Sequence, residues 1–168
     1  MWGLLQGYSA LAKSRNRRRQ TSPNTMHSSA AIAFILGACL SAAAAAAHLA
    51  CIALGAPAYR IMGAGERMAR AVEQGSLRPT VVTLAIAAVL SVWAAYAFGA
   101  AGLIPLLPFS SIVLPCICAV NLARALGFPL LRSTFPENSR RFWLISSGIC
   151  LVIGLLYLYG IVSAWQSL

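Results

Sequence analysis

Residues 28–54 read SSAAIAFILGACLSAAAAAAHLACIAL, 27 residues in a row without Asp, Glu, Lys or Arg. Crossing a hydrocarbon core about 30 Å thick takes roughly 20 helical residues. A backbone in lipid must satisfy its own hydrogen bonds, so an uncharged run of this length reads as a membrane-spanning helix. Three further runs, 80–99, 101–120 and 142–163, are also free of formal charge. The expectation is an all-α integral membrane four-helix bundle, a single domain over 28–168 preceded by a basic, disordered tail over 1–27.

Composition agrees. Of 168 residues, 60% are hydrophobic and 10% charged, against about 45–50% and 25% in soluble domains. A soluble enzyme, a disordered chain and a disulfide-stapled secreted domain are thereby excluded. Cys39, Cys51, Cys116, Cys118 and Cys150 all fall inside apolar runs, which argues against a disulfide framework. The first run also resembles a secretory signal peptide, with Arg15, Arg17, Arg18 and Arg19 before it and small residues at Ala42 to Ala47 within it. It is longer than the usual h-region of about 7–15 residues, and further spans follow, so it reads as an uncleaved helix.

The net charge is +10. The basic residues flank the apolar runs and carry no interleaved aromatics of the kind that stack on bases. They therefore point to anionic lipid head groups and not to nucleic acid. All the basic residues but Lys13 are arginine and alanine is the commonest residue, a bias typical of GC-rich bacterial genomes. The connectors 55–79 and 121–141 hold eight arginines, against five basic residues in the tail. By the positive-inside rule the connectors are cytoplasmic in a bacterial inner membrane. The tail conflicts with this unless translation starts at Met26, which would remove all five.

Within the first connector, Ile61, Ala64, Met68, Ala71 and Val72 share one helical face. Glu66, Arg67, Arg70, Glu73 and Gln74 share the other. This spacing predicts a short interfacial amphipathic helix between spans 1 and 2, over 64–74. It is closed by Gly75 and supported by a Glu66–Arg70 pair. Gly63-Ala-Gly65-Glu66 reads either as an anion-binding turn or as a flexible turn before that helix, the plainer alternative. Gly99 to Gly102 leave room only for a tight hairpin between spans 2 and 3. Pro105, Pro108 and Pro115 would lie within about 80° of one another on a helical third span, kinking it, with Ser110 and Ser111 near the freed carbonyls.

Helices in lipid approach closely through small residues. Such stripes run along Gly37, Ser41, Ala44, His48 and Cys51, along Thr83, Ala87, Ser91 and Ala94, and along Ser147, Cys150 and Gly154. Trp93, Tyr96 and Phe98, with Trp143 and Trp165, read as interfacial anchors.

Glu66, Glu73 and Glu137 all lie in connectors, so no intramembrane carboxylate exists to couple transport to protons. No P-loop, HExxH, dinucleotide fingerprint, CxxC or GxSxG is present. His48 is the one ionisable group, thiols aside, deep in a span. With Cys51, Cys118 and Cys150 it forms the candidate metal or thiol-redox set. Against that stand a packing hydrogen bond from His48, for instance to Ser147, and cysteines acting as small hydrophobes. Neither catalytic nor cofactor-binding residues are identified, and no cofactor is expected.

Tyr59-Arg-Ile-Met-Gly-Ala-Gly-Glu-Arg-Met-Ala and Gly75-Ser-Leu-Arg-Pro-Thr-Val-Val-Thr-Leu resemble uncharacterised small bacterial four-helix inner-membrane proteins. The resemblance implies a bacterial protein of four spans and no particular activity. The functional expectation is a non-enzymatic accessory or structural component with a protein partner or a second copy on its small-residue faces. The alternatives are a thiol or metal protein using His48 and the cysteines, and a channel or carrier lined by the proline-rich third span.

Overall fold

The computed structural model describes residues 2–127 and 140–168, with side chains from Ser28 onward. The tail's basic side chains, Met26, Arg132 and Glu137 lie outside the described set. Every regular element described is helical: α1 (Trp2–Leu54), α2 (Ala56–Ile61), α3 (Glu66–Glu73), α4 (Arg78–Ala100), α5 (Ser110–Leu126) and α6 (Arg140–Ala164), followed by a 3₁₀ turn at Trp165–Ser167. Three stretches are long and apolar enough to cross a membrane: Ser28–Leu54, Arg78–Ala100 and Arg140–Ser167.

The third expected span is not a single helix. Its helical part does not begin at residue 101, and α4 and α5 are not joined by a tight four-residue hairpin. Gly102, at φ 78°, ends α4. The amide of Leu103 reaches back to the Phe98 carbonyl and that of Gly102 to Gly99, a helix stop that favours glycine. A helix starting at 101 would carry Pro105 and Pro108 in its interior, where each removes a donor and clashes with the preceding turn. Helix α5 starts only after them, at Ser110, and Pro115 alone stays inside it. Its 17 residues rise about 25 Å, short of a full hydrocarbon core. The intervening carbonyls are partly satisfied. Ser110 Oγ donates to Leu107 O at 2.7 Å and Tyr96 Oη to Pro108 O at 3.2 Å.

Helix α1 packs on α4 and α6, and α5 packs on α6. The α1–α6 contact is reciprocal. A Cβ at Gly160 would lie 2.8 Å from the Phe34 ring, and one at Gly37 would lie 2.8 Å from the Tyr157 ring. Each helix thus offers an aromatic and, three residues on, a glycine that receives the other's aromatic. The two rings meet edge to face at 6.3 Å, the favoured aromatic geometry. Antiparallel α1 and α6 follow from this pairing.

The small-residue stripes largely lie inward. Gly37, Ser41, Cys51, Thr83, Ala87, Ala94 and Gly154 are buried, while Ser91 is exposed. Cys118 is buried and Cys116 exposed, as two residues about 200° apart on a helix must be.

Candidate binding cleft

The first connector folds onto the end of α1. Arg60 on α2 holds Glu66 of α3 through two hydrogen bonds, at 3.0 and 3.1 Å, and Glu73 through a third at 2.8 Å. Arg70 adds the expected i,i+4 bond to Glu66 at 3.2 Å. The guanidinium of Arg60, then that of Arg70, draw the Glu66 carboxyl down to about 2, from an ordinary 4.5. Beneath the clamp, Ala69 is fully buried, with Met68 and Val72 packed against Tyr59, Ala56 and Cys51. The amphipathic helix therefore exists as α3: Met68 and Val72 of its apolar face are half-buried against α2 and the end of α1, while Ile61 and Ala64 are exposed.

Gly63 joins this connector to the start of α6. Its φ is 69°, and a Cβ there would run into the Phe142 ring. Between the first connector and the ends of α1, α4, α5 and α6 lies a cleft of about 520 Å³. Met62 and Met68 line one wall, His48 and Cys51 of α1 a second, Arg78, Val82 and Ile86 of α4 a third, and Arg124 of α5 with Trp143 of α6 a fourth.

Arg124 is the most constrained cation here. Its guanidinium lies 4.8 Å from the centre of the Trp143 ring, and its Nη2 donates to Ser146 Oγ at 3.2 Å. Its Nη1 is buried with no hydrogen-bond partner. Trp143 is 3% exposed, so it forms a cleft wall instead of the interfacial anchor expected from its place at a span end. Tyr59 is 2% exposed, and its hydroxyl also lacks a partner. Among the described residues neither Arg78 nor Arg124 has an acidic partner, because both described glutamates are bound to Arg60 and Arg70.

The candidate metal or redox set is not gathered. His48 and Cys51 share the cleft wall. Cys118 donates its thiol hydrogen to Gly154 O, at 3.3 Å, in the α5–α6 contact. Among the described residues no three of His, Cys, Asp and Glu are placed to hold a metal ion. All five cysteines are free thiols. His48 Nδ1 is 2.8 Å from Ala44 O of its own helix. A carbonyl only accepts, so Nδ1 carries the hydrogen. The packing hydrogen bond of His48, for which Ser147 was one expected partner, is thus made one turn back within α1, and Ser147 Oγ is buried without a partner. The Gly63–Glu66 segment is a turn: Gly65 precedes α3 at φ 87°, and the Glu66 carboxylate binds arginine.

Sequence reasoning treated Arg78 and Arg124 as head-group contacts and Trp143 as an anchor, and gave Tyr59 no role. Two signals were available. Arg78, Val82 and Ile86 recur every four residues, one polar position followed by two apolar ones on one face. Arg124 has no acid three or four residues away to neutralise it. Compared with protein-family models, curated proteins and solved structures, the chain gives no match.

Proposed function

We propose that the chain is a multi-pass bacterial inner-membrane protein with an accessory or structural, non-enzymatic role, its basic connectors facing the cytoplasm. One observation carries this reading. Large apolar side chains such as Ile32, Leu36, Val92, Leu155 and Val162 are half or more exposed along the long helices, while the small residues Gly37, Ser41, Ala87, Ala94 and Gly154 face inward. Only lipid or a partner's apolar helix would cover such surfaces.

Two measurements test it. Alkaline carbonate washing of native membranes should leave the chain in the pellet, released only by detergent; release by carbonate alone contradicts membrane integration. Native mass spectrometry from gently solubilised membranes should then give a complex of fixed stoichiometry, with a second copy or another membrane protein. A lone chain that performs its whole role after reconstitution contradicts the accessory reading. The channel alternative has less to stand on, since Pro105 and Pro108 lie outside any helix. The thiol or metal alternative retains only the adjacent His48 and Cys51 at the cleft.

A further inference from the structure

We infer that the cleft between the first connector and the ends of α1, α4, α5 and α6 is a binding site for one anionic phosphate-bearing amphiphile, its phosphate oxygens held between Arg78 and Arg124 and its apolar part lying along Val82 and Ile86. This rests on the membrane reading above.

Four observations support the site. The first is charge. Arg60 and Arg70 take up both described carboxylates, so the two cleft arginines have no acid among the described residues. A phosphate supplies what they lack, and arginine matches its oxygens by forked donation.

The second is unmet hydrogen-bonding capacity. Arg124 Nη1 and the Tyr59 hydroxyl are buried without partners. Leaving such groups unpaired is costly, more so for the charged one. Both side chains line this one cleft, and an anion that enters beside them offers acceptors.

The third is the gradient along α4. Arg78, Val82 and Ile86 follow at four-residue intervals and all line the cleft. Each interval rises about 6 Å, so the wall passes from cation to aliphatic over roughly 12 Å. That is the order of groups in an amphiphile entering head-outermost. Met62 and Met68, also in the lining, adapt readily to irregular apolar shapes.

The fourth is position. Arg78 opens α4 and Arg124 lies in the last turn of α5. Both stand where an apolar helix meets the head-group layer. The volume of about 520 Å³ falls within the usual range of small-molecule sites, about 300–1,000 Å³.

The test uses the full chain in phosphatidylcholine nanodiscs, titrated with phosphatidylglycerol. Retained lipid is counted by native mass spectrometry. The wild type should keep one phosphatidylglycerol per chain in preference to phosphatidylcholine. Arg78→Gln and Arg124→Gln should each bind it roughly tenfold more weakly, the scale of one charge-assisted contact. Arg78 is exposed, so its variant should keep its fold even where loss of the Arg124–Trp143 stack disturbs the other. Tyr59→Phe should bind more weakly yet melt at a higher temperature without ligand, because it removes an unpartnered buried hydroxyl.

Millimolar inorganic phosphate separates the two sources of the shared chemistry. Displacement of the lipid assigns the site to phosphate itself, and failure to displace assigns it to the lipid. Wild-type retention of phosphatidylglycerol by both arginine variants, or equal retention of the two lipids by the wild type, overturns the inference. The carbonate wash distinguishes this from failure of the membrane reading: a chain that stays in the membrane but shows no selectivity loses the site alone.

Discussion

Tyr157 is the residue on which three helices converge. Its ring fills the space over Gly37 of α1, and its hydroxyl donates to the Trp93 carbonyl of α4 at 2.9 Å. The same oxygen lies 3.4 Å from Ser41 Oγ, which itself donates to Gly37 O. The side chain is fully buried. Polar contacts between membrane helices are worth about 0.5–2 kcal/mol each. Tyr157→Phe keeps the ring and removes the hydroxyl, so it should destabilise the bundle by about that amount, measured by thermal or denaturant unfolding in bicelles. Tyr157→Ala also opens a cavity and should cost several times more, about 3–5 kcal/mol. A phenylalanine variant as stable as the wild type would show that the hydroxyl bonds add nothing. The sequence held half of this arrangement. Gly37 and Ser41 were legible as a small-residue stripe, and Tyr157 continues the Ser147–Cys150–Gly154 spacing by one more step. A search for small residues passes over it because the bulky member of each aromatic–glycine pair is invisible until the facing helix is placed.

At the scale of elements, two of the three α6 glycines, Gly148 and Gly154, make a matched pair. A Cβ at Gly154 would lie 2.7 Å from Leu122 Cδ2 and 3.3 Å from the Leu122 backbone nitrogen of α5, whereas one at Gly148 meets nothing within 4 Å. Gly154→Ala should therefore push α5 from α6 and cost about 1–3 kcal/mol. Gly148→Ala should instead stabilise, by up to about 1 kcal/mol, because alanine restricts the unfolded chain and favours the helix. The same unfolding assay reads both, and equal effects of either sign would contradict the packing described. Helix α5 also shows where sequence reading stops. Its apolar composition was plain, but its start depends on which proline the helix tolerates, a contest between hydropathy and backbone sterics that a count of uncharged residues does not weigh.

The connector helices carry a prediction in pH. Glu66 is drawn below its ordinary value by Arg60 first and Arg70 second, to about 2. A depressed carboxyl contributes stability that is fully present above 4.5 and is lost as pH falls through about 2. The α2–α3 clamp should thus hold across the neutral and mildly acidic range and open only in strong acid. Both partners are exposed, so the effect belongs to the connector and not to the bundle. Only three glutamates exist, so a carboxyl-labelled NMR titration resolves them. The Glu66 midpoint should lie near 2 and move up toward 4.5 in Arg60→Gln; an unshifted midpoint in the wild type contradicts the clamp. The Glu66–Arg70 pair was legible from spacing alone. Arg60, six residues before Glu66 and across a turn, was not, because its reach depends on how Gly63 and Gly65 fold the chain back.

For the whole molecule, the decisive question is whether the 17-residue α5 carries the chain back across the membrane. Arg78, at the start of α4, and Arg124, at the end of α5, line the same cleft. The chain leaves that end along α4 and returns to it along α5, so the two segments traverse the same depth. Helix α5 alone rises only about 25 Å, and residues 101–109 make up the remainder without helix. Irregular backbone at that depth is tolerated where protein satisfies it, as Tyr96 and Ser110 do for Pro108 and Leu107. Single cysteines at Ser76, Leu103, Leu126 and Ser167, in a background lacking the five native thiols, make the path measurable with a membrane-impermeant maleimide. Ser76→Cys and Leu126→Cys should label from one side, the side of the basic connectors, and Leu103→Cys and Ser167→Cys from the other. If Leu126→Cys labels together with Leu103→Cys, α5 is re-entrant, the two arginines lie on opposite faces, and the shared cleft does not form in the membrane.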